Sequence, residues 1–323
     1  MNKNELIIVT GGAGFIGSNL VSALNKGGYK NIIIVDHLTD SGKWENLREL
    51  SYSEYYDRED FLKNIESFKK EKIKAIFHLG ACSATTEKDE NYLLYNNTKY
   101  SKALFDFCIH EDCQFIYASS AATYGDGASG YKDTEENLKP LNCYGYSKHL
   151  FDGWVKNSDK KPKQWVGLKF FNVYGPYEYH KGRMSSMVLH GYRQIFNEGL
   201  MTLFKSHKKE YVDGGQKRDF VYVKDVVKVM VFFLNNPDKS GIYNVGTGMS
   251  QSFNELAEAI FHALEKPASI RYIDMPEDIR NTYQYFTEAD ISNLREAGYK
   301  ESFQSLKEGV SDYVKGYLVK NKQ

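Results

Sequence analysis

Three side chains near the middle of the chain could carry out acid–base chemistry on a hydroxyl group. Tyr144 and Lys148 stand four residues apart in the string YGYSK, so on a helix both side chains would lie on one face. A lysine ammonium held near a phenol favours the phenolate and lowers the pKa of the tyrosine. Ser120 follows a short apolar run and offers a hydroxyl that can donate to a reacting oxygen. Together these residues predict proton transfer at a substrate hydroxyl.

A glycine-rich segment near the N-terminus predicts a phosphate-binding turn. In the string VTGGAGFIG, Gly12, Gly14 and Gly17 form a GxGxxG pattern between an apolar run and a helical stretch. Glycines permit the tight turn and let backbone N–H groups approach a pyrophosphate, which the helix N-terminus also attracts. We therefore expect this segment to bind a dinucleotide.

The residues that follow the second apolar run bear on which dinucleotide is bound. Asp36 stands where an acid accepts hydrogen bonds from the adenosine ribose, which favours NAD. Lys43 and Arg58 could instead neutralise the additional 2′-phosphate of NADP, or they could be ordinary surface charges. The residues alone leave the choice between NAD and NADP open.

The elements that must position these residues alternate between strand and helix through the first half of the chain. Buried strands are predicted at Leu6–Thr10, Asn31–Asp36, Ala75–Leu79, Phe115–Ser119 and Trp165–Phe171. Helices are predicted at Gly14–Lys26, Glu59–Lys70, Asn91–His110 and Asn142–Asn157. This alternation predicts an α/β protein with a Rossmann-type, doubly wound parallel sheet.

The regular alternation of strand and helix patterns stops after Asn172. This change predicts a smaller α/β C-terminal lobe for the substrate. Strand-like runs resume at Phe220–Val223 and Ile242–Val245, and helices are predicted at Asn254–Leu264 and Phe303–Leu318. We expect a dinucleotide-binding domain from residues 1–171 plus about 219–249. The second domain would comprise about 172–218 plus 250–323.

Charge and hydropathy exclude several classes of protein. The 323 residues contain 42 Lys+Arg and 42 Asp+Glu, and a net charge of zero argues against nucleic acid or an anionic membrane as the main partner. The longest apolar candidate for a span, Val226–Leu234, is short and contains Lys228. A small-molecule substrate is the expectation.

The cysteines and histidines predict neither disulfides nor a metal. Cys82, Cys108, Cys113 and Cys143 show no CxxC spacing, which is typical of free thiols in a reducing cytoplasm. The eight histidines contain no HxxxH or HExxH pair, so no metal site is expected.

Taken together, the motifs resemble those of the extended short-chain dehydrogenase/reductase family. The similarity runs through the TGGAGFIG turn, Gly80–Ser83, the YGYSK helix, the string FNVYGP from Phe171 and the string RDFVYVKDV from Arg218. The resemblance implies an enzyme that acts on a nucleotide sugar by transient oxidation at one carbon. It also implies that Ser120, Tyr144 and Lys148 form the catalytic triad.

Longer strings resemble the branch of this family that epimerises C6 of an ADP-linked heptose with NADP, for the lipopolysaccharide core. They are Gly80–Glu87, Tyr117–Gly125, Phe171–Ser186 and Phe286–Tyr299. The cofactor contacts this resemblance implies are Gly11, Gly12, Gly14, Phe15, Ile16, Gly17, Asp36, His37, Lys43, Arg58, Leu79, Gly80, Ala81, Cys82, Ser83, Asn96, Lys148, Val173 and Lys181. The implied substrate contacts are Asn172, Arg183, His190, Phe204, Lys205, Ser206, His207, Arg218 and Tyr283. A homo-oligomer is also implied.

The resemblance gives Lys181 the role of a second acid/base. A lysine can act as a base only if its pKa is depressed, either by burial or by nearby positive charge such as that of His180 and Arg183. Without the resemblance, Lys181 could instead be a clamp for the substrate phosphates.

Other functions remain open at this point. A UDP-hexose 4-epimerase or a nucleotide-sugar reductase of the same family would use the same triad without needing Lys181. A 4,6-dehydratase needs an acidic pair just after the Ser120 position, where this chain has Ala121 and Ala122. A scaffold that binds NADP without chemistry would typically have lost Tyr144 or Lys148, and both are present.

Overall fold

The computed structural model describes residues 3–85, 87–280 and 283–321, and its internal contacts divide the chain into two compact units. The first unit comprises Met1–Gly125, Glu136–Lys169 and Val227–Tyr243, and the second comprises Asp126–Glu135, Phe170–Val226 and Asn244–Gln323. Thr86, within the string Gly80–Glu87, lies outside the described residues.

A seven-stranded sheet organises the first unit. Its strands are β1 (Leu6–Thr10), β2 (Ile32–Asp36), β3 (Glu54–Asp57), β4 (Ile73–His78), β5 (Gln114–Ser120), β6 (Gln164–Phe170) and β11 (Gly241–Val245). They are ordered β11-β6-β5-β4-β1-β2-β3, and the ladders β2–β3, β1–β2, β1–β4 and β4–β5 are parallel. The predicted Rossmann-type sheet is confirmed. Its chain order reverses between β1 and β4, where doubly wound folds bind ligands at the carboxyl ends of the strands.

Buried apolar runs explain why these strands form and pair. All five residues of β1 and of β2 are buried, as expected of strands covered by helices on both faces. The helices of this part of the chain are α1 (Phe15–Lys26), α2 (Arg58–Lys63), α3 (Glu90–Leu94), α4 (Tyr100–His110), α5 (Cys143–Asn157) and α7 (Val223–Asn235). An aromatic cluster that includes Phe105, Phe115 and Phe151 packs α4 and α5 against β5.

Several elements differ from the sequence predictions, and two of them contribute residues to the site described below. Strand β3 was not predicted, because its residues EYYD are half-exposed and lack the apolar run typical of a buried strand. The helix predicted over Asn91–His110 is divided into α3 and α4 by a π-helical turn, Tyr95–Lys99. That turn contains Asn96 and Asn97, both of which contribute to the site described below.

The second unit is built from three short strand pairs and flanking helices. Its strands are β7 (Asn172–Tyr174) with β10 (Phe220–Tyr222), β8 (Met201–Phe204) with β13 (Ile270–Ile273), and β9 (Lys217–Arg218) with β12 (Gln251–Ser252). Its helices are α6 (Met187–Glu198), α8 (Phe253–Ala263), α9 (Glu277–Arg280), α10 (Ser292–Glu296), α11 (Leu306–Tyr313) and α12 (Val319–Asn321). Within the described ranges, the helices are all too short or too polar to cross a bilayer.

Candidate active site

Two glycines determine the turn between β1 and α1. Gly11 has a left-handed backbone with φ of 68°, and a Cβ atom there would lie 2.6 Å from the backbone nitrogen of Gly80. A Cβ atom on Gly17 would lie 2.1 Å from the carbonyl oxygen of Gly11, so α1 packs directly on the turn. The first turn of α1, which the structure describes in full, contains no acidic residue. This side-chain-free cradle at a helix N-terminus fits a diphosphate.

The carboxylate of Asp36 at the end of β2 is already engaged. Its Oδ2 accepts a hydrogen bond of 2.9 Å from the backbone N–H of Ala13, in the glycine turn. Its Oδ1 lies 2.6 Å from Nζ of Lys43 and accepts from the backbone N–H of His37 at 2.7 Å. Asp36 is buried and Lys43 is largely so, which strengthens their ion pair. The negative charge is therefore balanced before any ligand binds.

A second cation borders the same region. Arg58 donates to Oδ1 of Asn96 at 2.8 Å and to the hydroxyl of Tyr92 at 3.3 Å. Nδ1 of His37 lies 2.9 Å from Oδ2 of Asp57. Arg58 and Lys43 both line a cavity of about 250 Å³ within the first unit. The lining residues are Thr10, Gly11, Val35, Asp36, His37, Thr39, Ser41, Lys43, Arg58, His78, Gly80, Ala81, Tyr92, Asn96 and Tyr100.

The segment after β4 is tied to the glycine turn and to the π-helical turn. The backbone N–H of Leu79 donates to the carbonyl of Thr10 at 3.0 Å, and that of Gly80 donates to Oγ1 of Thr10 at 3.2 Å. The backbone N–H of Cys82 donates to Oδ1 of Asn97 at 2.9 Å. Eight of the seventeen predicted cofactor contacts of the first unit line this one cavity: Gly11, Asp36, His37, Lys43, Arg58, Gly80, Ala81 and Asn96.

A buried histidine connects these elements, although we did not predict a role for it. Ser101 Oγ donates to the carbonyl of Asn97 at 2.6 Å, so it must accept from Nε2 of His78 at 2.8 Å. Nδ1 of His78 then accepts from Oγ1 of Thr10 at 2.7 Å, and Thr10 in turn accepts from Gly80. This directed chain requires a neutral ring, and burial lowers the pKa of His78 to about 3.

We predict that His78 makes the protein less stable in acid. The unfolded histidine titrates near 6.5 while the folded ring stays neutral down to about 3, so protons favour unfolding as the pH falls between these values. Between pH 7.5 and 5 the wild type should lose about 2 kcal/mol more unfolding free energy than His78→Gln. Urea unfolding of both proteins at the two pH values measures this difference. Equal losses in the two proteins would contradict the prediction.

Ser120 and Tyr144 meet in the first unit. Ser120 is the last residue of β5. Its Oγ accepts from the backbone N–H of Ala122 at 3.1 Å, and this hydrogen bond caps the 3-10 turn Ala121–Tyr124. The N-terminus of α5 packs closely on that turn, since a Cβ atom on Gly145 would lie 2.6 Å from the carbonyl oxygen of Ala122. A side-chain hydrogen bond joins Ser120 to Tyr144.

The pKa of Tyr144 is raised, which differs from the sequence-based expectation. Burial is the largest cause, and the hydrogen bond with Ser120 opposes it. Lys148 is buried, donates to the carbonyl of Ala118 at 2.8 Å, and has its pKa lowered by burial to about 8. The spacing rule correctly placed both residues on one helix but did not account for desolvation of the phenol.

A buried glutamate closes the loop that carries Lys181 in the second unit. Oε1 of Glu178 accepts from the backbone N–H of Gly175 at 3.3 Å and from Oγ of Ser186 at 2.6 Å. Its Oε2 accepts from the backbone N–H of Ser186. Ser186 caps α6, so one carboxylate holds both ends of the loop. Sequence reasoning missed Glu178, whose role depends on contacts with both ends of its own loop.

Burial lowers the pKa of Lys181, which is one of the two conditions named for a lysine base. The negative charge of Glu178 opposes this effect. Arg183, which we expected to lower the pKa further, is exposed. His190 lies near it, with Nε2 3.3 Å from the carbonyl oxygen of Arg183. Asn172 and Val173 lie on β7.

Arg218 is a buried cation surrounded by aromatic rings in the second unit. Its guanidinium lies 5.1 Å from the ring centre of Tyr283 and 5.7 Å from that of Phe253. Burial lowers the pKa of Arg218, and Tyr283, Tyr131 and Tyr211 partly offset that effect. Neither Tyr131 nor Tyr211 was predicted, because the chain contains 25 tyrosines and no local pattern distinguishes these two.

The segment Phe204–His207 lies next to this cluster. The rings of Phe204 and Tyr283 are 6.2 Å apart, and the backbone N–H of His207 donates to the hydroxyl of Tyr285 at 2.9 Å. Ser206 is held by Asp213, and Lys205 pairs with Asp274 at 3.4 Å on the surface. The predicted substrate residues of the second unit therefore form two groups, one around Arg218 and one around the Lys181 loop.

The chain is similar to known proteins over nearly its whole length. Residues 7–246 match the model of the NAD dependent epimerase/dehydratase family. A Fusobacterium nucleatum protein named ADP-L-glycero-D-manno-heptose-6-epimerase is 52% identical over 328 residues, covering 98% of each chain.

Solved structures with different substrates share the fold. The Helicobacter pylori ADP-L-glycero-D-manno-heptose-6-epimerase is 29% identical with a TM-score of 0.83, covering 97% of this chain and 96% of that one. UDP-N-acetylglucosamine 4-epimerase of Methanobrevibacter ruminantium M1 is 27% identical with the same TM-score, covering 99% and 100%. The fold alone therefore does not distinguish the sugar.

Proposed function

The chain belongs to the NAD dependent epimerase/dehydratase family, and on that premise we propose that it interconverts the two C6 epimers of an ADP-linked manno-heptose. The observation that carries this proposal is the 52% identity to a heptose 6-epimerase over 98% of both chains. The reaction would convert ADP-D-glycero-D-manno-heptose to the L-glycero epimer, a precursor of the lipopolysaccharide core. We also propose that it occurs in the cytoplasm, where the four free cysteines remain reduced, and in a homo-oligomer.

The chemistry requires oxidation, because the carbinol C–H bond at C6 is not acidic enough to be removed by a base. A bound nicotinamide cofactor supplies the hydride acceptor and donor. Tyr144, hydrogen-bonded to Ser120, takes the hydroxyl proton of one epimer and returns it in the reverse direction. Lys148, anchored on the carbonyl of Ala118, is proposed to supply positive charge from the same helix.

We propose Lys181 as the acid/base for the other epimer. The two epimers present the C6 oxygen in different directions, so a second group is needed when the sugar keeps one orientation in the site. Burial lowers the pKa of Lys181 and so favours the neutral amine that a base must be. The hydrogen bonds that Glu178 accepts from Gly175 and Ser186, here called the Glu178 clip, support the role of Lys181 as a base. They fix both ends of the loop that carries its amine.

The remaining residues are proposed to bind the ligands. The first unit would hold the cofactor and the second the ADP-sugar, with Arg218 suited to an anionic diphosphate because its charge is buried among tyrosines. The exposed Arg183 would contact the same substrate.

The test is turnover of two nucleotide sugars, with the products identified by NMR. The protein should epimerise ADP-D-glycero-D-manno-heptose and leave UDP-glucose unchanged; the reverse preference would favour the hexose 4-epimerase alternative, and no turnover would favour a scaffold. In D2O the product should carry no deuterium at C6, because the hydrogen returns without exchanging with solvent. Deuterium at C6 would instead indicate deprotonation.

We propose NADP rather than NAD as the cofactor. Asp36, which would accept from the ribose of NAD, is already neutralised by Lys43 at 2.6 Å. Lys43 and Arg58 line the same cavity and supply two cations where a 2′-phosphate would need them.

We predict that Lys43→Met lowers the affinity for NADP without lowering the affinity for NAD. The affinity for NADP should fall about 10- to 100-fold because a charge-assisted contact is lost. The affinity for NAD should be unchanged or higher, since Asp36 becomes free to accept from the ribose. Isothermal titration measures both, with Lys63→Met as the control because Lys63 is exposed on α2. An equal loss for NAD and NADP would show that Lys43 does not contact the 2′-phosphate.

A further inference from the structure

A buried ion pair lies behind the proposed triad in the first unit. Nζ of Lys169, on β6, lies 3.3 Å from Oδ2 of Asp152, on α5, and the side chains are 3% and 5% exposed. Taking two charges out of water costs several kcal/mol per ion, so such a pair is weak evidence for stability by itself. Its partners therefore matter more than the pair alone.

The carboxylate of Asp152 connects α5 to β5. Its Oδ1 accepts from the hydroxyl of Tyr117 at 3.0 Å, and its Oδ2 accepts from Oγ of Ser119 at 2.7 Å. Asp152 stands one helical turn after Lys148 and two after Tyr144 on the same helix. The charge of Asp152 also acts on Lys148, raising its pKa against the larger effect of burial.

The ammonium of Lys169 connects the same carboxylate to the turn after Ser120. Its Nζ donates to Oγ1 of Thr123 at 2.6 Å and lies 4.8 Å from the ring centre of Tyr124. Thr123 Oγ1 donates in turn to the carbonyl of Ser120 at 2.8 Å. A single cation is thus joined to the helix that carries Tyr144 and to the turn that carries Ser120.

We propose that Lys169 is a positioning residue that fixes the spacing of Ser120 relative to Tyr144 and Lys148. The inference rests on the proposed function, because it presumes that Ser120 and Tyr144 act together on the substrate. Lys169 acts through Asp152 on one side and Thr123 on the other. Hydrogen-bonded catalytic groups tolerate little displacement, since about 1 Å of misplacement can cost 10²-fold in rate.

The test replaces Lys169 with residues that do or do not keep its connections. In Lys169→Met, kcat for the heptose should fall about 10²-fold, with KM and the affinity for NADP unchanged. Lys169→Arg keeps the charge and its donors and should recover at least about a tenth of the wild-type kcat. If Lys169→Met fails to fold, the double variant Lys169→Met/Asp152→Asn, which removes both charges of the pair, should show at least the same loss of kcat.

The second unit offers a control that repeats these partners in a half-exposed setting. Lys224 pairs with Asp312 at 2.5 Å, and Asp312 also accepts from the hydroxyl of Tyr222, so the motif resembles Lys169, Asp152 and Tyr117. Lys224→Met should lower the melting temperature and leave kcat unchanged. The proposal is overturned if Lys169→Met keeps its kcat, or if both variants lose kcat in proportion to stability. If Lys169→Met keeps its kcat while Tyr144→Phe loses activity, only the positioning role is wrong. If Tyr144→Phe also keeps full activity, the proposed function is wrong as well.

Discussion

Replacing Tyr144 by phenylalanine should lower kcat for epimerisation about 10³-fold, because positioned acid–base groups contribute 10²- to 10⁴-fold. The substitution removes one oxygen atom, the one that hydrogen-bonds to Ser120, and leaves the ring in place. The Asp36, Lys43 and Arg58 cluster is untouched, so the affinity for NADP should not change. Steady-state turnover and cofactor titration measure the two quantities.

The same helix supplies the control for this prediction. Tyr146 lies two residues further along α5 and is 48% exposed. Tyr146→Phe therefore removes the same chemical group from a solvent-exposed position of the helix. Its kcat should stay near the wild-type value. If Tyr144→Phe retained more than about a tenth of the activity, the contribution of Tyr144 would be below that of a general acid or base, and the proposed triad would be wrong.

The Lys181→Ala variant should lose about 10²-fold or more of the epimerisation rate, since one of the two proton transfers loses its catalyst. Its defect should be unequal between the two epimers. Tyr144 is retained, so one epimer should still reduce the cofactor in a single turnover while the other should not. The near-ultraviolet absorbance of the reduced nicotinamide follows both half-reactions.

The unequal defect for the two epimers would show that Lys181 acts as a base and not as a clamp for the substrate phosphates. A clamp for the diphosphate would weaken binding of both epimers alike and raise KM, because the ADP group is common to them. Lys300→Ala, an exposed lysine of the second unit, is the control and should match the wild type. A rate close to that of the wild type for Lys181→Ala would overturn the two-base scheme.

Most strands of the sheet were predictable from sequence because nearly all of their residues are buried and apolar. The run Leu6–Thr10 has the same bounds in prediction and structure, and Ile32–Asp36 differs by one residue. Strand β3 was missed for the opposite reason, since its half-exposed residues show neither alternation nor an apolar run. The π-helical turn at Tyr95–Lys99 is also invisible to a periodicity argument, because an extra residue in one turn does not interrupt the helical pattern.

The site was predictable where residue type and local spacing decide the geometry. The glycine turn and the placement of Tyr144 and Lys148 on α5 are local patterns. The tight turn itself falls on Gly11 rather than within the GxGxxG pattern, because Gly80 approaches it from the neighbouring strand. His78, Glu178 and Lys169 were missed since their partners are brought together only by folding, and the raised pKa of Tyr144 depends on burial that spacing does not report.

The Glu178 clip has a consequence for how this protein can be altered. None of the residues 179–184, all of which the structure describes, is fully buried, so their identities are not required by a core. The Glu178 carboxylate binds the backbone at Gly175 before the segment and Ser186 after it. The two ends therefore keep their positions whichever residues lie between them. We therefore expect that combinatorial libraries can vary the positions of this segment other than Lys181 and Arg183 while strand β7 and helix α6 keep their registers.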